Sequence, residues 1–475
     1  MSELNRREFL GTTAAVGGMM LATGLEARAA TAAEGGSWTG LPPAKIHKVF
    51  AGRTGNFYMS RPAEEVAKLN AYFSEMEKKV PGVKFVGGDI MPPAGVGEVT
   101  AKLKDADALL IVHLSGHGGD APVLGKLIDA GLPSAIFTPP YSGHGWLDFP
   151  QWHKQGKPVL LLPSSDWTML DGVAGLLRAA AWIRQTRILA VGHHGTAAAC
   201  KPELVKKKLG ADLVVISHQT VLDAMHAIDI KVAEAEAQQY WIAPCREIVE
   251  PSRAEIIASA RMYLGIRELM KREKAQAICS AACMGSPRGC FSFSKLNDQG
   301  LVGGCEGDID STLTLLLFDY ACHIPGMISD PVPDLAKNAL LHFHCTSATK
   351  MDGPCGKRLP FRIRDQTDTR GGAALEVQHR VGQPVTCAKL VNLDTMLMVS
   401  GKILETSTSP IACRTQFAQS VPDARRLFLG WGAGVVQGDT MTRLHRVVFY
   451  GDHMKSMQDL GELLGFKVVE DGGNA

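Results

Sequence analysis

Four acidic residues and four histidines sit where their spacing could do chemistry. The stretch GCEGDIDSTLTLLLFDYACHIPGMISD, Gly304 to Asp330, carries Glu306, Asp308 and Asp310 at its start and Asp330 at its end, with residues 311–321 apolar nearly all round. That run reads as a buried helix. Glu306 lies at or near its N-terminus, where the helix dipole and free N–H groups favour an ionised carboxylate, and Asp308 or Asp310 is placed to cap it. Asp330 precedes Pro331 and is biased to extended backbone at a strand end or loop. A rigid buried helix between them would fix where the two carboxylates stand. In LLHFHC, His342 and His344 share one face of a strand, with Leu341, Phe343 and Cys345 on the other. RLHRVVFYGDH presents His445 at a strand start and His453 after a Gly-Asp turn. Carboxylates and a histidine from distant segments form an O/N donor set suited to Mn²⁺ or another divalent cation. Taken singly, an acid at a helix start is a cap and Asp-Pro is a turn. The combination points to a metal-dependent site.

These residues need elements to hold them, and the chain supplies three kinds. Residues 44–180 alternate continuous apolar strands (VKFVGGD, ADALLIVHLS, PSAIFTP) with helical stretches such as VAKLNAYFSEMEKKV, the pattern of a parallel sheet covered on both faces. Residues 181–355 repeat the pattern from TRILAVGHHG and ADLVVIS, through two long helical stretches, to the acidic segment. From 356 to 475 the chain turns to short β-rich runs (FRIRD, AALEVQHRV, PVTCAKLVNL, TMLMVSGKIL, RRLFLGWG) and a closing helix, MKSMQDLGELLGF. The expected fold is therefore α/β: two Rossmann-like parallel-sheet units followed by a barrel-like, β-rich C-terminal domain. The glycine-rich loops HLSGHGGD, with His113, His117 and Asp120, and GHHG, with His193 and His194, follow strands and are loops first; His117 is the one taken as a substrate contact.

Composition excludes several classes. The 475 residues are 45% apolar and 21% charged with a net charge of +2, so there is no concentrated basic face for a nucleic acid. No GxGxxG follows the first strand, so no dinucleotide is indicated. The eleven cysteines, an odd number, leave at least one unpaired thiol and room for one or two disulfides, and CSAACMGSPRGC lacks zinc-ribbon or ferredoxin spacing. Residues 1–30, with Arg6 and Arg7 before Phe9-Leu10, a short apolar run and ARAA, read as a twin-arginine export signal leading to the periplasm, and 31–43 as a linker. No later apolar run is long enough to span a bilayer.

LNDQGLVGGCEGDIDSTLTLLLF with its acid 24 residues after Glu306, VTCAKLVNLDTMLMVSGKILET and HRVVFYGDHMKSMQDLGELLGF together resemble the active-site region and C-terminal domain of the L-fucose isomerase and L-arabinose isomerase superfamily. The resemblance covers roughly Arg261 to Lys467. It implies a metal-dependent aldose–ketose isomerase acting on a monosaccharide through an enediol. Glu306, Asp330 and His445 would hold Mn²⁺, and Glu306 and Asp330 would also serve as acid and base. His344, His453 and His117 would be substrate contacts, in a homo-oligomer. The alternative is an exported carbohydrate-binding protein that keeps the fold without turnover.

Overall fold

The computed structural model describes residues 39–472, apart from 56–59, 116–119, 282–284, 286 and 439. The proposed export signal, most of the linker and His117 lie outside the described residues.

Strands β1 (Ala44–Ala51), β2 (Val83–Met91), β3 (Ala108–His113), β4 (Ser134–Thr138) and β5 (Val159–Pro163) form a parallel sheet in the order β2-β1-β3-β4-β5. The central strand β3, ALLIVH, is buried at every position, as an apolar run covered on both faces by helices must be. The helix Met169–Ile183 follows. It is buried along most of its length and packs on this sheet and on the helix Ile309–Cys322.

A second parallel sheet joins β6 (Arg187–Val191), β7 (Asp212–Ile216), β8 (Ala277–Ser280) and β9 (Val302–Cys305) in the order β7-β6-β8-β9. Its order reverses between β6 and β8. In such sheets the crevice outside the carboxyl ends of the strands at that reversal is where ligands bind. The loop leaving β6 there carries His193-His194, and the loop leaving β9, one strand further along past β8, carries Glu306.

The third unit is a closed antiparallel barrel. β10 (Gly326–Asp334), β11 (Ala339–His344), β14 (Pro384–Val391), β15 (Thr395–Thr406), β16 (Thr415–Ser420) and β17 (Arg446–Tyr450) run in the ring β14-β17-β10-β11-β16-β15-β14, with β18 (Lys467–Glu470) added parallel to β15. The expected α/β fold with a barrel-like C-terminal region is the fold observed. Three details differ from the reading of the sequence. The barrel takes its first two strands from residues 326–344, ahead of the change in composition near 356. FRIRD and AALEVQHRV form a separate two-stranded sheet outside the barrel, as β12 (Phe361–Gln366) and β13 (Gly371–Val377). RRLFLGWG is not a strand: Asp423 caps a helix, Ala424–Leu429, by accepting the Arg426 N–H, and a 3₁₀ turn follows at Trp431–Gly434.

The helix Ile309–Cys322 lies between the helix Met169–Ile183 and β14 and is buried at nearly every position. Leu313, Leu315, Leu316, Leu317 and Phe318 are each at most 1% exposed. At roughly 2 kcal/mol per fully buried large apolar side chain, these five contribute on the order of 10 kcal/mol. Its last turn would leave carbonyls bare in the core; Arg178 answers that by donating from Nε (2.9 Å) and Nη2 (2.7 Å) to Tyr320 O. Thr314 Oγ1 accepts the Leu390 N–H at 2.8 Å and so ties the helix to β14.

Candidate metal centre

The turn Glu306-Gly307 starts the site. Glu306 has φ +54° and Gly307 φ +72°, so two successive left-handed residues swing the chain off β9 and into the helix. Gly307 has no room for a side chain, since a Cβ there would stand 2.9 Å from Gly192 O and from Ala281 Cβ. For glutamate the conformation is strained, and the neighbouring loop holds it. The His194 N–H donates to Gly307 O at 2.9 Å, the Ile309 N–H donates to His194 O at 3.1 Å, and His194 Nε2 bonds Glu306 O. His193 and His194 therefore belong to a loop whose role here is to brace the acidic turn.

Asp330 and His445 come together through strand register. β10 pairs with β17 only from Gly326 to Ser329, with Ser329 opposite Arg446, and with β11 only from Asp330 to Asp334. The next step of that antiparallel register places Asp330 beside His445, where the two strands part. Arg446 is fully buried and fixed by a 2.6 Å bond from Nε to Asp471, which anchors the chain next to His445. Asp330 is thus a barrel residue on the same side as His445, and Glu306 faces them from the second sheet. The boundary read from the sequence near 356 leaves Glu306 and Asp330 in one unit and His445 in the next, whereas β10 belongs to the barrel and puts Asp330 in the same sheet as His445.

The donor atoms converge. His445 Nε2 lies 3.3 Å from Glu306 Oε2 and 3.2 Å from Asp330 Oδ1, and His344 Nε2 lies 3.8 Å from Glu306 Oε1. Asp330, His344 and His445 offer ligand atoms all within 4.8 Å of one another, and Cys305, Glu306 and His344 form a second such group. Asp330 Oδ1, His344 Nε2 and His445 Nε2 are buried yet complete no hydrogen bond, being close enough for ion pairs but misdirected for bonding. Two donors bound about 2.1 Å from one small cation, at right angles, stand about 3.0 Å apart. The spacing and the unsatisfied atoms fit a divalent cation, and the mainly O/N donor set fits Mn²⁺ or a similar ion. The side chains of Glu306 and Asp330 are 16% and 14% exposed against 2% and 0% for His344 and His445, so a ligand would approach from the carboxylate side.

A second layer sets the histidine. Asp308 caps the helix by accepting the Ser311 N–H (3.0 Å) and hydroxyl (2.8 Å). Its Oδ2 also accepts from Lys389 Nζ at 2.7 Å and from His445 Nδ1 at 3.1 Å, with all three side chains fully buried. A carboxylate can only accept, so the His445 proton sits on Nδ1 and Nε2 is the atom left to bind a cation, the carboxylate–histidine–metal arrangement. Asp308 was legible only as a cap, and Lys389 carried no signal at all in PVTCAKLVNL. Asp310 is not in the pocket; it accepts the Thr196 N–H (2.5 Å) and hydroxyl (2.7 Å).

Charge follows from this packing. Burial by itself would push the His445 imidazole down, but the carboxylates of Asp308, Asp330 and Glu306 outweigh it and hold it well above its usual range, so a cation binding Nε2 would displace a proton from that nitrogen. Burial would likewise raise Glu306 and Asp330, and the imidazoles of His445 and His344 reverse that, so both carboxylates sit below their ordinary values and are ionised. Asp308 is also held down: burial opposes the change, and Lys389 and His445 overcome it.

The remaining sequence candidates fall elsewhere. His453 follows the far end of β17, roughly 17 Å of strand from His445, and its Nε2 bonds Tyr450 O at 2.8 Å, closing the turn. It is not part of this constellation. His342 points into the barrel between Ser329 Oγ (2.9 Å) and Gln419 Oε1 (3.0 Å). His344, expected as a sugar contact, stands among the possible cation ligands. Each of the ten described cysteines is a thiol. Among the described residues, no helix is long and apolar enough to cross a membrane.

Set against protein-family models the sequence matches none, and no curated protein matches it either.

Proposed function

We propose that this chain is a divalent-cation-dependent aldose–ketose isomerase acting on a monosaccharide, of the superfamily its acidic and C-terminal segments resemble. The observation that carries the reading is the convergence of Glu306, Asp330 and His445 from two different sheets onto one buried spot, at separations of 3.2 and 3.3 Å. Glu306, Asp330 and His445 would hold the cation, with His344 beside them. When bound, Mn²⁺ would polarise the carbonyl of the open-chain sugar and stabilise charge on the enediolate oxygens.

The residues themselves supply the proton chemistry. Both carboxylates are ionised, so either can take the proton from C2 of the aldose and return it to C1, while the other relays the hydroxyl proton from O2 to O1. Asp308 holds His445 in the tautomer that leaves Nε2 toward the pocket. Export through the Arg6-Arg7 segment and assembly into a homo-oligomer belong to the same proposal.

The test is incubation with Mn²⁺ and a panel of aldoses and ketoses in D₂O, following C1 and C2 by NMR. The proposal expects deuterium at C1 or C2 together with the partner sugar, and neither in Glu306→Gln. Sugar binding without exchange in folded, Mn²⁺-loaded protein would instead establish the non-catalytic carbohydrate-binding protein.

A further inference from the structure

Beside the cation pocket, three cysteines from three separate segments meet. Cys290 opens the helix Cys290–Asp298, Cys345 directly follows β11, and Cys413 lies in the segment entering β16. They pack with Ala374 as a small cluster apart from the main core. Of the three side chains in this cluster, Cys345 is the one that interacts with both others. Strand register explains half of this: His344 is opposite Thr415, so the residues just after one and just before the other emerge at the same rim of the barrel. None of the three is in a disulfide.

Cysteines as small apolar filler would account for burial, but not for three of them, drawn from distant parts of the chain, packing against one another in one small cluster. Nor does the trio form a site for one ion, because its three sulfurs do not all lie within 4.8 Å of one another. A central thiol flanked by two alternative partners is instead the arrangement of thiol–disulfide exchange.

We propose that Cys345 is the shared sulfur of a redox-modification site: it forms a disulfide with Cys413, and Cys290 takes the place of Cys413 when that thiol is absent. Cys413 is the partly exposed member and meets the oxidant, a small-molecule disulfide or a disulfide-bearing oxidoreductase. Its sulfur forms a mixed disulfide and one thiol of the oxidant leaves. Cys345 then attacks the Cys413 sulfur, the Cys345–Cys413 bond forms, and the second thiol leaves. Two electrons pass to the oxidant, and the two cysteine protons end on its two thiols. Because Cys345 is the residue after His344, the bond ties the backbone carrying that imidazole to the lead-in of β16. This second consequence, altered cation affinity, rests on the cation site proposed above; the disulfide itself does not.

The full chain is equilibrated across a series of reduced-to-oxidised glutathione ratios, acid-quenched, alkylated after denaturation and digested for mass spectrometry. The proposal expects a linked peptide pair joining Cys345 to Cys413, a shift of the link to Cys290–Cys345 in Cys413→Ser, and loss of both in Cys345→Ser. Full alkylation of all three cysteines in wild-type protein at the most oxidising ratio would overturn it, as would a link between Cys290 and Cys413 that bypasses Cys345. Calorimetric Mn²⁺ titration of the same samples separates the two layers. A change of about tenfold in affinity on oxidation supports the coupling through His344. Equal affinities in protein with the link in place overturn that coupling alone. Failure of either redox state to bind Mn²⁺ counts against the cation site and leaves the disulfide result standing.

Discussion

Asp308→Asn is the substitution that separates what holds the site together from what lets it hold a cation. Asp308 Oδ2 receives Ser311 Oγ, Lys389 Nζ and His445 Nδ1 at 2.8, 2.7 and 3.1 Å, and no part of the Asp308, Lys389 or His445 side chains reaches solvent. Asparagine keeps the volume but removes the charge, and its NH₂ cannot accept from either nitrogen. The Lys389 ammonium is then left with the Thr442 carbonyl, at 2.7 Å, and no carboxylate in direct contact. Breaking a buried pair from one side costs about 3–5 kcal/mol. His445 loses the acceptor that fixes its tautomer, which lowers cation affinity about 10- to 100-fold. Adding Lys389→Met removes the stranded charge, so the double variant should recover most of the stability while its Mn²⁺ affinity stays low. Urea unfolding followed by circular dichroism gives the first quantity and calorimetric Mn²⁺ titration the second. A single variant that binds Mn²⁺ as tightly as wild type, or a double variant that regains affinity, would refute the assignment of Asp308 to His445.

Two further outcomes follow from particular atoms. Glu306 holds φ +54°, a conformation that costs a non-glycine residue about 1 kcal/mol or more, so Glu306→Gly should raise the unfolding free energy by about 1 kcal/mol while abolishing Mn²⁺ binding. A destabilised variant in urea unfolding would contradict this. Burial, then the nearby His342 and Arg380, pushes His379 down to about 3. The unfolded imidazole titrates near 6.5, so between these values the unfolded chain binds a proton that the folded one does not. Its share of the stability is intact above about pH 6.5 and is lost by about 1.4 kcal/mol for each unit the pH falls below that. His379→Gln should flatten the slope of unfolding free energy between about pH 6 and pH 5 by that amount, and an unchanged slope would count against a neutral buried imidazole.

Strands that are apolar throughout, such as ALLIVH, declare a parallel sheet from composition alone, because only burial on both faces tolerates them. The alternation in LLHFHC likewise holds: His342 and His344 point inward, and Leu341 and Phe343 are half-buried. GMISDPVPD was not legible as a barrel strand because two prolines in a row of nine argue against one. The structure accepts them because Pro331 and Pro333 lie past Ser329, where β10 has left β17 and pairs on one side only, with β11. That change of neighbour is a tertiary event, and it is what brings Asp330 to His445. Lys389 was illegible for a related reason. A lysine in a strand normally reads as solvent-facing, and only the fold shows that a buried carboxylate waits for it. RRLFLGWG looked like a strand by its apolar content, but Asp423 offered a cap and three nearby glycines broke the extended pattern.

The central claim is that Glu306, Asp330 and His445 hold one divalent cation, and anomalous diffraction from crystals soaked in Mn²⁺ tests it most directly. Data collected on either side of the manganese absorption edge should give a peak bounded by Glu306 Oε2, Asp330 Oδ1 and His445 Nε2, and that peak should vanish in Glu306→Gln. A Mn²⁺ peak elsewhere, or none at this spot at saturating Mn²⁺, would contradict the claim.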